Sequence, residues 1–508
     1  MSNKNKQVKI LQIGDEDWRP LLFDEKSEKM QFFFCNAHAA DLSILDEKFG
    51  IYLFASMSSL KLLKTLFHRI SPYYVLYNAA LILSKEEERL FRSREAYAID
   101  MSDPVSVYRL LGRDFTGGQL GAKMSIDRLD VADSYRGQIH YDGHLGVELS
   151  GDFGSRFSQT LTWRYDILLG PDSDYELWPA FAVDGGVQMK LRVSMIAKGG
   201  SRIQRQIIID QAQLQKPFLL QSHHEDSFLA FSIEAQGRGH LKIGPLHYRK
   251  SRHGYGQLVV GGQRSADAKR QELLFYFNPG DLKPPLNVYF SGYRSAEGFE
   301  GYGMMRALKA PFLLIADPRI EGGSFYLGSQ ELQRNVLRQI DAALSRLGFN
   351  QQQLILSGLS MGSFGALYYG SSLHADAIIV GKPLVNIGNI AENEKMIRPG
   401  GFPTSLDILR FLTKETHSDA DQELNDRFWE QFLKTDFQHT KIAIAYMLND
   451  DYDPTAYDDL LSVLQKQHTQ LISKGIPGRH NDNSPAINDW FLRQYRNILR
   501  HDFQRGAV

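Results

Sequence analysis

A Gly-x-Ser-x-Gly motif at residues 358–362 constrains the fold of this chain more than any other feature. The apolar run at 354–356 precedes it and predicts a buried strand, and the small residues that follow predict a helix. A strand, a sharp turn and a helix form a nucleophile elbow, in which a serine oxygen projects above a sheet. Glycine suits both flanking positions because side chains there would collide with neighbouring backbone. We therefore predict that Ser360 is a nucleophile; the alternative is a glycine-rich turn with an idle serine.

A serine hydroxyl needs a base, held in orientation by an acid, to attack at neutral pH. On hydrolase sheets with this elbow, the acid and then the histidine follow the serine along the chain. The apolar run at 442–448 predicts a strand, and Asp450, Asp451 and Asp453 follow it. Asp450 is preferred because it comes first and stands four residues before Pro454, which can open the next helix. Asp451 and Asp453 remain alternatives, and capping of that helix competes as an explanation for Asp453.

The base is predicted in the turn at 475–482, where glycine and proline surround His480. A short last strand is expected just before it, at 469–473. His468, in a helix-to-strand region, and His501, in the predicted terminal helix, are less well placed.

Two backbone amides are predicted to stabilise an oxyanion on the substrate. The first is the amide of Met361, at the start of the helix after Ser360. The second is the amide of Gly292 or Tyr293, in the loop after the predicted strand at 288–290.

The spacing of apolar residues changes twice along the 508 residues, which predicts three domains. Over residues 1–105, helical patterns at 58–70 and 84–94 alternate with short apolar runs, which indicates a small α/β domain; these runs, each expected to be a strand, are 8–14, 30–34, 51–54, 74–77 and 97–99. Alternating apolar and polar residues over 106–283 indicate a β-sandwich of jelly-roll type. Continuous apolar runs over 284–508 indicate a parallel sheet covered on both faces, as in an α/β-hydrolase domain. A helical segment is expected at 330–347, and the runs expected to be strands are 288–290, 312–315, 354–356, 377–380 and 442–448. The stretch 388–440 lies between two of its strands and is expected to be a mostly helical lid.

Aromatic residues in the predicted sandwich suggest carbohydrate binding, because such rings stack on sugar faces. Trp163, Tyr175 and Trp178 are the candidates. Filling of the hydrophobic core explains the same residues equally well.

Composition excludes several functional classes. A net charge of -1 argues against binding of nucleic acid or an anionic membrane surface. A single cysteine rules out an intramolecular disulfide and fits a reducing compartment, and no apolar stretch reaches membrane-spanning length, so a cytoplasmic protein is expected. No metal site is expected either, since His223, His224 and the two acids after them lack recognisable ligand spacing.

Four segments, at 358–370, 381–386, 449–453 and 478–482, together resemble one family. It is the second accessory secretory protein family of the bacterial accessory Sec system. The order of α/β region, sandwich and hydrolase is also similar, and the motifs are most specific in the last 230 or so residues.

The resemblance implies an O-acetyltransferase that modifies N-acetylglucosamine on a serine-rich repeat glycoprotein adhesin and supports its export. Its triad carries over to Ser360 and His480, and spacing favours Asp450 as the acid although family members can use Glu there. Acetyl-CoA is a candidate acetyl donor, as a substrate and not as a resident cofactor. The implied partners are the other accessory secretory proteins and the accessory Sec motor ATPase, through which any peripheral membrane association would be made. A carbohydrate esterase and a non-catalytic targeting subunit are the alternatives.

Overall fold

A computed structural model describes residues 7–25, 28–39, 43–171, 173–222, 225–396, 398–414 and 419–506, with only the backbone described at position 396. The chain is mixed α/β and forms two compact units. The first contains residues 1–118, 251–262 and 277–282, and the second contains residues 119–250, 263–276 and 283–508. Within the described ranges, we find no helix with both the length and the apolar character needed to cross a membrane.

The first unit is built on a five-stranded parallel sheet. Its elements are β1 (Val8–Gly14), β2 (Met30–Asn36), β3 (Ile51–Phe54), α1 (Leu63–Leu66), β4 (Val75–Asn78), α2 (Lys85–Ser93), β5 (Tyr97–Ile99) and α3 (Pro104–Leu110). The strands lie in the order β2-β1-β3-β4-β5. They match the predicted apolar runs to within a residue or two. The helix expected at 58–70 is a 3-10 turn (Met57–Leu62) followed by the short α1.

The second unit begins with two antiparallel sheets. Their strands are β6 (Gly121–Met124), β7 (Leu129–Val131), β8 (Gln138–Asp142), β9 (Gly146–Asp152), β10 (Ser158–Trp163), β11 (Ile167–Leu169), β12 (Tyr175–Gly185), β13 (Gln188–Ala197), β14 (Ile203–Asp210), β15 (Phe218–Leu220), β16 (Ser227–Gln236) and β17 (Arg238–Lys250). One sheet has the order β14-β13-β16-β10-β7 and the other β15-β12-β17-β9-β8. One hydrophobic core contains side chains of both sheets, because the strands alternate apolar and polar residues.

The two tryptophans proposed for sugar stacking are buried. Trp163 is 2% exposed and lies in the sandwich core, and Trp178 is 5% exposed. The guanidinium carbons of Arg264 and Arg270 lie 4.1 and 3.8 Å from the Trp178 ring centroid. Neither indole offers a face to a sugar, so the sugar-stacking interpretation of these two residues is wrong. Tyr175 is half-buried and packs against the same core.

The rest of the second unit is an eight-stranded sheet with its helices. The elements are β18 (Gly262–Ala266), β19 (Glu272–Asn278), β20 (Leu286–Phe290), α4 (Tyr302–Ala307), β21 (Phe312–Ala316), α5 (Gln330–Leu347), β22 (Leu354–Leu359), α6 (Met361–Gly370), β23 (Ala377–Gly381), α7 (Ile387–Met396), α8 (Ser405–Thr413), α9 (Ala420–Phe432), β24 (Lys441–Met447), α10 (Ala456–Lys466), β25 (Leu471–Ile476) and α11 (Ser484–His501).

The order of this sheet is β18-β19-β21-β20-β22-β23-β24-β25, and the six strands from β20 to β25 run parallel. Each of these six overlaps a predicted strand, and α5 has the predicted bounds. β18 and β19 come from the end of the stretch assigned to the sandwich, yet they belong to this sheet. The stretch 388–440 contains three helices, α7 to α9, between β23 and β24.

A buried ionic cluster joins the sandwich to the eight-stranded sheet. Arg249 on β17 bonds the carboxylates of Glu272 and Glu297, and His247 Nδ1 lies 2.5 Å from Glu297. All four side chains are buried. Burial raises the pKa of Glu297, but its contacts with Arg249 and His247 outweigh that effect and hold this pKa at about 2.

Candidate active site

Ser360 occupies a strained turn between β22 and α6. Its backbone has φ 54° and ψ -123°, a conformation that L residues rarely adopt. A Cβ on Gly358 would lie 2.1 Å from the Gly362 oxygen, and a Cβ on Gly362 would lie 2.1 Å from the Phe290 oxygen. The serine therefore keeps its conformation because the glycines let the backbone of α6 and β20 approach closely.

Ser360, His480 and Asp450 form one hydrogen-bonded chain. Ser360 Oγ lies 2.8 Å from His480 Nε2, and His480 Nδ1 lies 2.8 Å from Asp450 Oδ2. His480 is 1% exposed, in a turn that follows β25. These are the contacts that a serine nucleophile, a general base and an orienting carboxylate make in acyl-transfer sites.

The three acidic candidates have separate positions. Asp450 accepts the backbone N–H groups of Tyr452 (2.9 Å) and Asp453 (3.3 Å) through Oδ1, which leaves Oδ2 for His480. Asp451 instead accepts the backbone N–H of His480, at 3.0 Å. Asp450 therefore contacts the imidazole of His480, and Asp451 contacts the backbone of the same residue.

Asp453 is buried away from the imidazole and does not cap the next helix. Its carboxylate accepts the backbone N–H groups of Val385 and Asn386 at 2.8 and 2.7 Å. Burial raises the pKa of Asp453 to about 6, although these hydrogen bonds favour the ionised form. Asp453 therefore ties the acid loop to the segment that leads into α7.

The predicted oxyanion donors differ in availability. Within the described residues, the backbone N–H groups of Met361 and Tyr293 have no hydrogen-bond partner. The N–H of Gly292 donates to the Glu300 carboxylate at 2.6 Å. An oxyanion would have to displace that carboxylate, so the geometry favours Tyr293 over Gly292 as the second donor.

A cavity of about 440 Å³ opens above Ser360. Gly401, Phe402 and Pro403, from the predicted lid, form part of its wall. Phe402 contacts the Tyr293 ring edge-on, with centroids 5.2 Å apart. The predicted lid stretch therefore contributes part of the wall of the cavity at Ser360.

Sequence reasoning assigned no role to two charged side chains in this cavity, Lys382 and Glu300. Lys382 follows β23 with φ 52°, and its Nζ donates to Ser484 at 3.3 Å. Burial lowers the pKa of Lys382, against the effect of the carboxylates of Asp450 and Glu300. The sequence does contain a signal for Lys382, which is its place directly after a predicted strand, because polar groups just after parallel strands face the edge of the sheet where ligands bind.

Metal ligands do not cluster in the part of the chain that the structure describes, where no group of three or more His, Cys, Asp or Glu side chains is placed to hold an ion. His223 and His224 lie outside the described residues.

These features define a protein with an α/β-hydrolase-like sheet and a serine–histidine–aspartate site at the carboxyl end of its strands. The chain belongs to the family described as the accessory Sec system GspB-transporter, whose model matches residues 8–505. The family resemblance predicted from the motifs is confirmed.

Relatives cover nearly the whole chain. Accessory Sec system proteins of Staphylococcus aureus and Streptococcus gordonii are each 40% identical to it, over 98% and 99% of this chain and the same shares of theirs. A chain of the Glycosylation Associate Protein (Gap123) complex from Streptococcus agalactiae is 36% identical, with a TM-score of 0.88 over 98% of this chain and 99% of that chain.

Proposed function

We propose that this protein is a serine-dependent O-acetyltransferase that acetylates N-acetylglucosamine on a serine-rich repeat glycoprotein adhesin, in the context of the accessory Sec system. The observation that carries the proposal is the hydrogen-bonded chain of Ser360, His480 and Asp450 beneath a cavity of about 440 Å³. Membership of the accessory Sec family supplies the context of export, and the relative in a glycosylation-associated complex supports a glycoprotein substrate.

The reaction follows two steps of acyl transfer. His480 Nε2 takes the Ser360 proton while Oγ attacks the acetyl carbonyl, and the imidazolium returns that proton to the leaving group as its bond to the acetyl carbon breaks. A sugar hydroxyl then gives its proton to His480 and attacks the acetyl-serine, and the bond from the acetyl carbon to Ser360 Oγ breaks as the imidazolium returns that proton to Oγ and the sugar ester is released. Asp450 keeps the proton on Nδ1 and stabilises the imidazolium. The N–H groups of Met361 and Tyr293 bind the oxyanion in both steps, with about 10² to 10³ in rate from each donor.

Two features favour transfer over hydrolysis. The lid segment at 401–403 lines the cavity at the serine, and Phe402 packs against Tyr293 in the predicted oxyanion loop. A sugar bound against this partly aromatic wall displaces water from the cavity and brings its own hydroxyl to the acetyl-serine. Acetyl-CoA is the acetyl donor that we propose as the substrate of the first step.

The test compares the wild-type chain with Ser360→Ala. Purified protein is incubated with an N-acetylglucosamine glycopeptide and acetyl-CoA, and mass spectrometry detects acetylated sugar. The same measurement is made on the adhesin from cells that carry each variant. We expect acetylated sugar with the wild-type chain and none with Ser360→Ala.

A matched control is Ser371→Ala. Ser371 follows α6, and its hydroxyl donates to the Leu367 carbonyl oxygen at 3.0 Å, so this serine has no part in the site. Release of acetate without acetylated sugar would make the protein a carbohydrate esterase. Equal acetylation by Ser360→Ala and wild type would leave it a non-catalytic targeting subunit.

A further inference from the structure

An arginine of the lid stretch is joined to the base through one carboxylate. Arg398 Nε lies 2.6 Å from Asp451 Oδ2, and both side chains are mostly buried. The other oxygen of Asp451 accepts the backbone N–H of His480 at 3.0 Å. Asp451 therefore connects Arg398 of the lid stretch to the backbone of His480.

The same arginine is joined to the imidazole through an aromatic ring. The Arg398 guanidinium carbon lies 4.3 Å from the Tyr452 ring centroid. The Tyr452 ring lies 4.3 Å from the His480 ring, with 31° between the planes. Tyr452 is itself fixed, since its hydroxyl donates to the Gly401 oxygen at 2.8 Å. Guanidinium, phenol ring and imidazole thus form one stack.

These contacts restrain motions of the His480 ring that the hydrogen bonds of its two nitrogens do not restrain. The bonds to Ser360 and Asp450 define an axis through the ring, but the ring can still tilt about that axis. The Tyr452 face opposes the tilt, and Asp451 holds the backbone of His480. Arg398 supports both because a guanidinium can pair with a carboxylate and stack on a ring at once, which an ammonium cannot.

We propose that Arg398 is a positioning residue, which holds His480 in its productive orientation through Asp451 and Tyr452. This inference rests on the proposed function of Ser360 as a nucleophile. It assigns separate duties to the neighbouring acids: Asp450 orients the imidazole directly, and Asp451 connects the base to the lid.

Gly401 offers a second way to disturb the arginine without removing its charge. A Cβ at Gly401 would lie 2.4 Å from Arg398 Nη1, a separation that real side chains do not adopt. The Gly401→Ala variant therefore displaces the guanidinium from its place on Tyr452 and Asp451.

The experiment measures the reaction of Ser360 in the full-length protein with p-nitrophenyl acetate and, separately, with a fluorophosphonate label. The variants are Arg398→Gln, Arg398→Lys, Asp451→Asn, the Arg398→Gln/Asp451→Asn double variant and Gly401→Ala. Arg427→Gln is the matched control, because Arg427 is an arginine of the lid helix α9 that pairs with Glu423 at 2.8 Å. Thermal unfolding is recorded for each.

We expect kcat and the labelling rate to fall roughly 10- to 100-fold in Arg398→Gln and Asp451→Asn, with KM unchanged, as displacement of a catalytic group by about 1 Å produces. The double variant should be no slower than the slower single variant, because both changes break one connection. Arg398→Lys should recover part of the rate, Gly401→Ala should lose rate, and Arg427→Gln should match wild type.

The outcomes separate this inference from the proposed function. Equal labelling of wild type and Ser360→Ala would contradict the function. A labelled wild type with unchanged rates in the Arg398 variants would overturn the inference alone. Additive losses in the double variant, or a rise in KM with constant kcat, would also overturn it. If Arg398→Gln does not fold, Arg398→Lys and Gly401→Ala decide the matter.

Discussion

Replacement of Asp450 by asparagine tests the assignment of the acid most directly. In the structure, Oδ1 of Asp450 accepts two backbone N–H groups, and Oδ2 faces His480 Nδ1. The amide oxygen of asparagine must take the first position, because an NH₂ group there would face two donors. The NH₂ group is then left facing His480 Nδ1.

This arrangement selects the wrong tautomer of the base. Nδ1 must accept a hydrogen bond from the asparagine, so the proton moves to Nε2 and points at Ser360. A protonated Nε2 cannot take the serine proton. The loss of rate from such an exchange is about 10⁴-fold, which corresponds to about 5.4 kcal/mol in the activation free energy.

The assay is the initial rate of p-nitrophenol release from p-nitrophenyl acetate, corrected for the rate of Ser360→Ala. Asp451→Asn is the matched comparison, because its amide oxygen can still accept the backbone N–H of His480. We expect Asp450→Asn to be much the slower of the two. A rate for Asp450→Asn within about tenfold of wild type would refute the reasoning. A greater loss of rate in Asp451→Asn would show that Asp451 is the acid that orients the imidazole.

Three further predictions concern the scaffold. Gly362→Ala should destabilise the protein by at least about 2 kcal/mol in urea unfolding, since its Cβ would meet backbone at 2.1 Å, whereas Gly303→Ala, with open space around its Cβ, should not. The pKa of Asp453 is raised from 3.8 to about 6, so the free energy of unfolding should fall by up to about 3 kcal/mol as the pH rises through this window. Urea unfolding at several pH values should show this fall in the wild type and not in Asp453→Asn. The same pH dependence in both proteins would contradict the assignment. Arg249→Met should lower the unfolding free energy by about 3 to 5 kcal/mol, because it leaves two buried carboxylates without their arginine; a loss below about 1 kcal/mol would show that the cluster adds little.

Local patterns were sufficient to predict many of the strands and the elbow. The runs at 354–356 and 442–448 lie within or overlap β22 and β24, because continuously apolar segments are stable only inside a covered sheet. The helix predicted at 330–347 has those bounds in the structure, where Ser329 caps its start and Gly348 ends it in the left-handed conformation. The tryptophans show the limit of such patterns: an aromatic residue in a sandwich strand looks the same in sequence whether it faces the core or a sugar.

The amino-acid sequence by itself determined that a serine would stand on a glycine-flanked bend, with acids and a histidine following in order, because these features depend on neighbours along the chain. The tertiary structure alone decided which acid faces the imidazole. Asp450, Asp451 and Asp453 lie within four positions, but they bind three different groups, which are the imidazole of His480, the backbone N–H of His480 and the backbone N–H of Asn386. The path of their loop against β25 and α7 sets those directions. It also decided that the Gly292 N–H donates to the Glu300 carboxylate and that Arg398 pairs with Asp451 beside the base. Both contacts join residues that come together only when the chain folds.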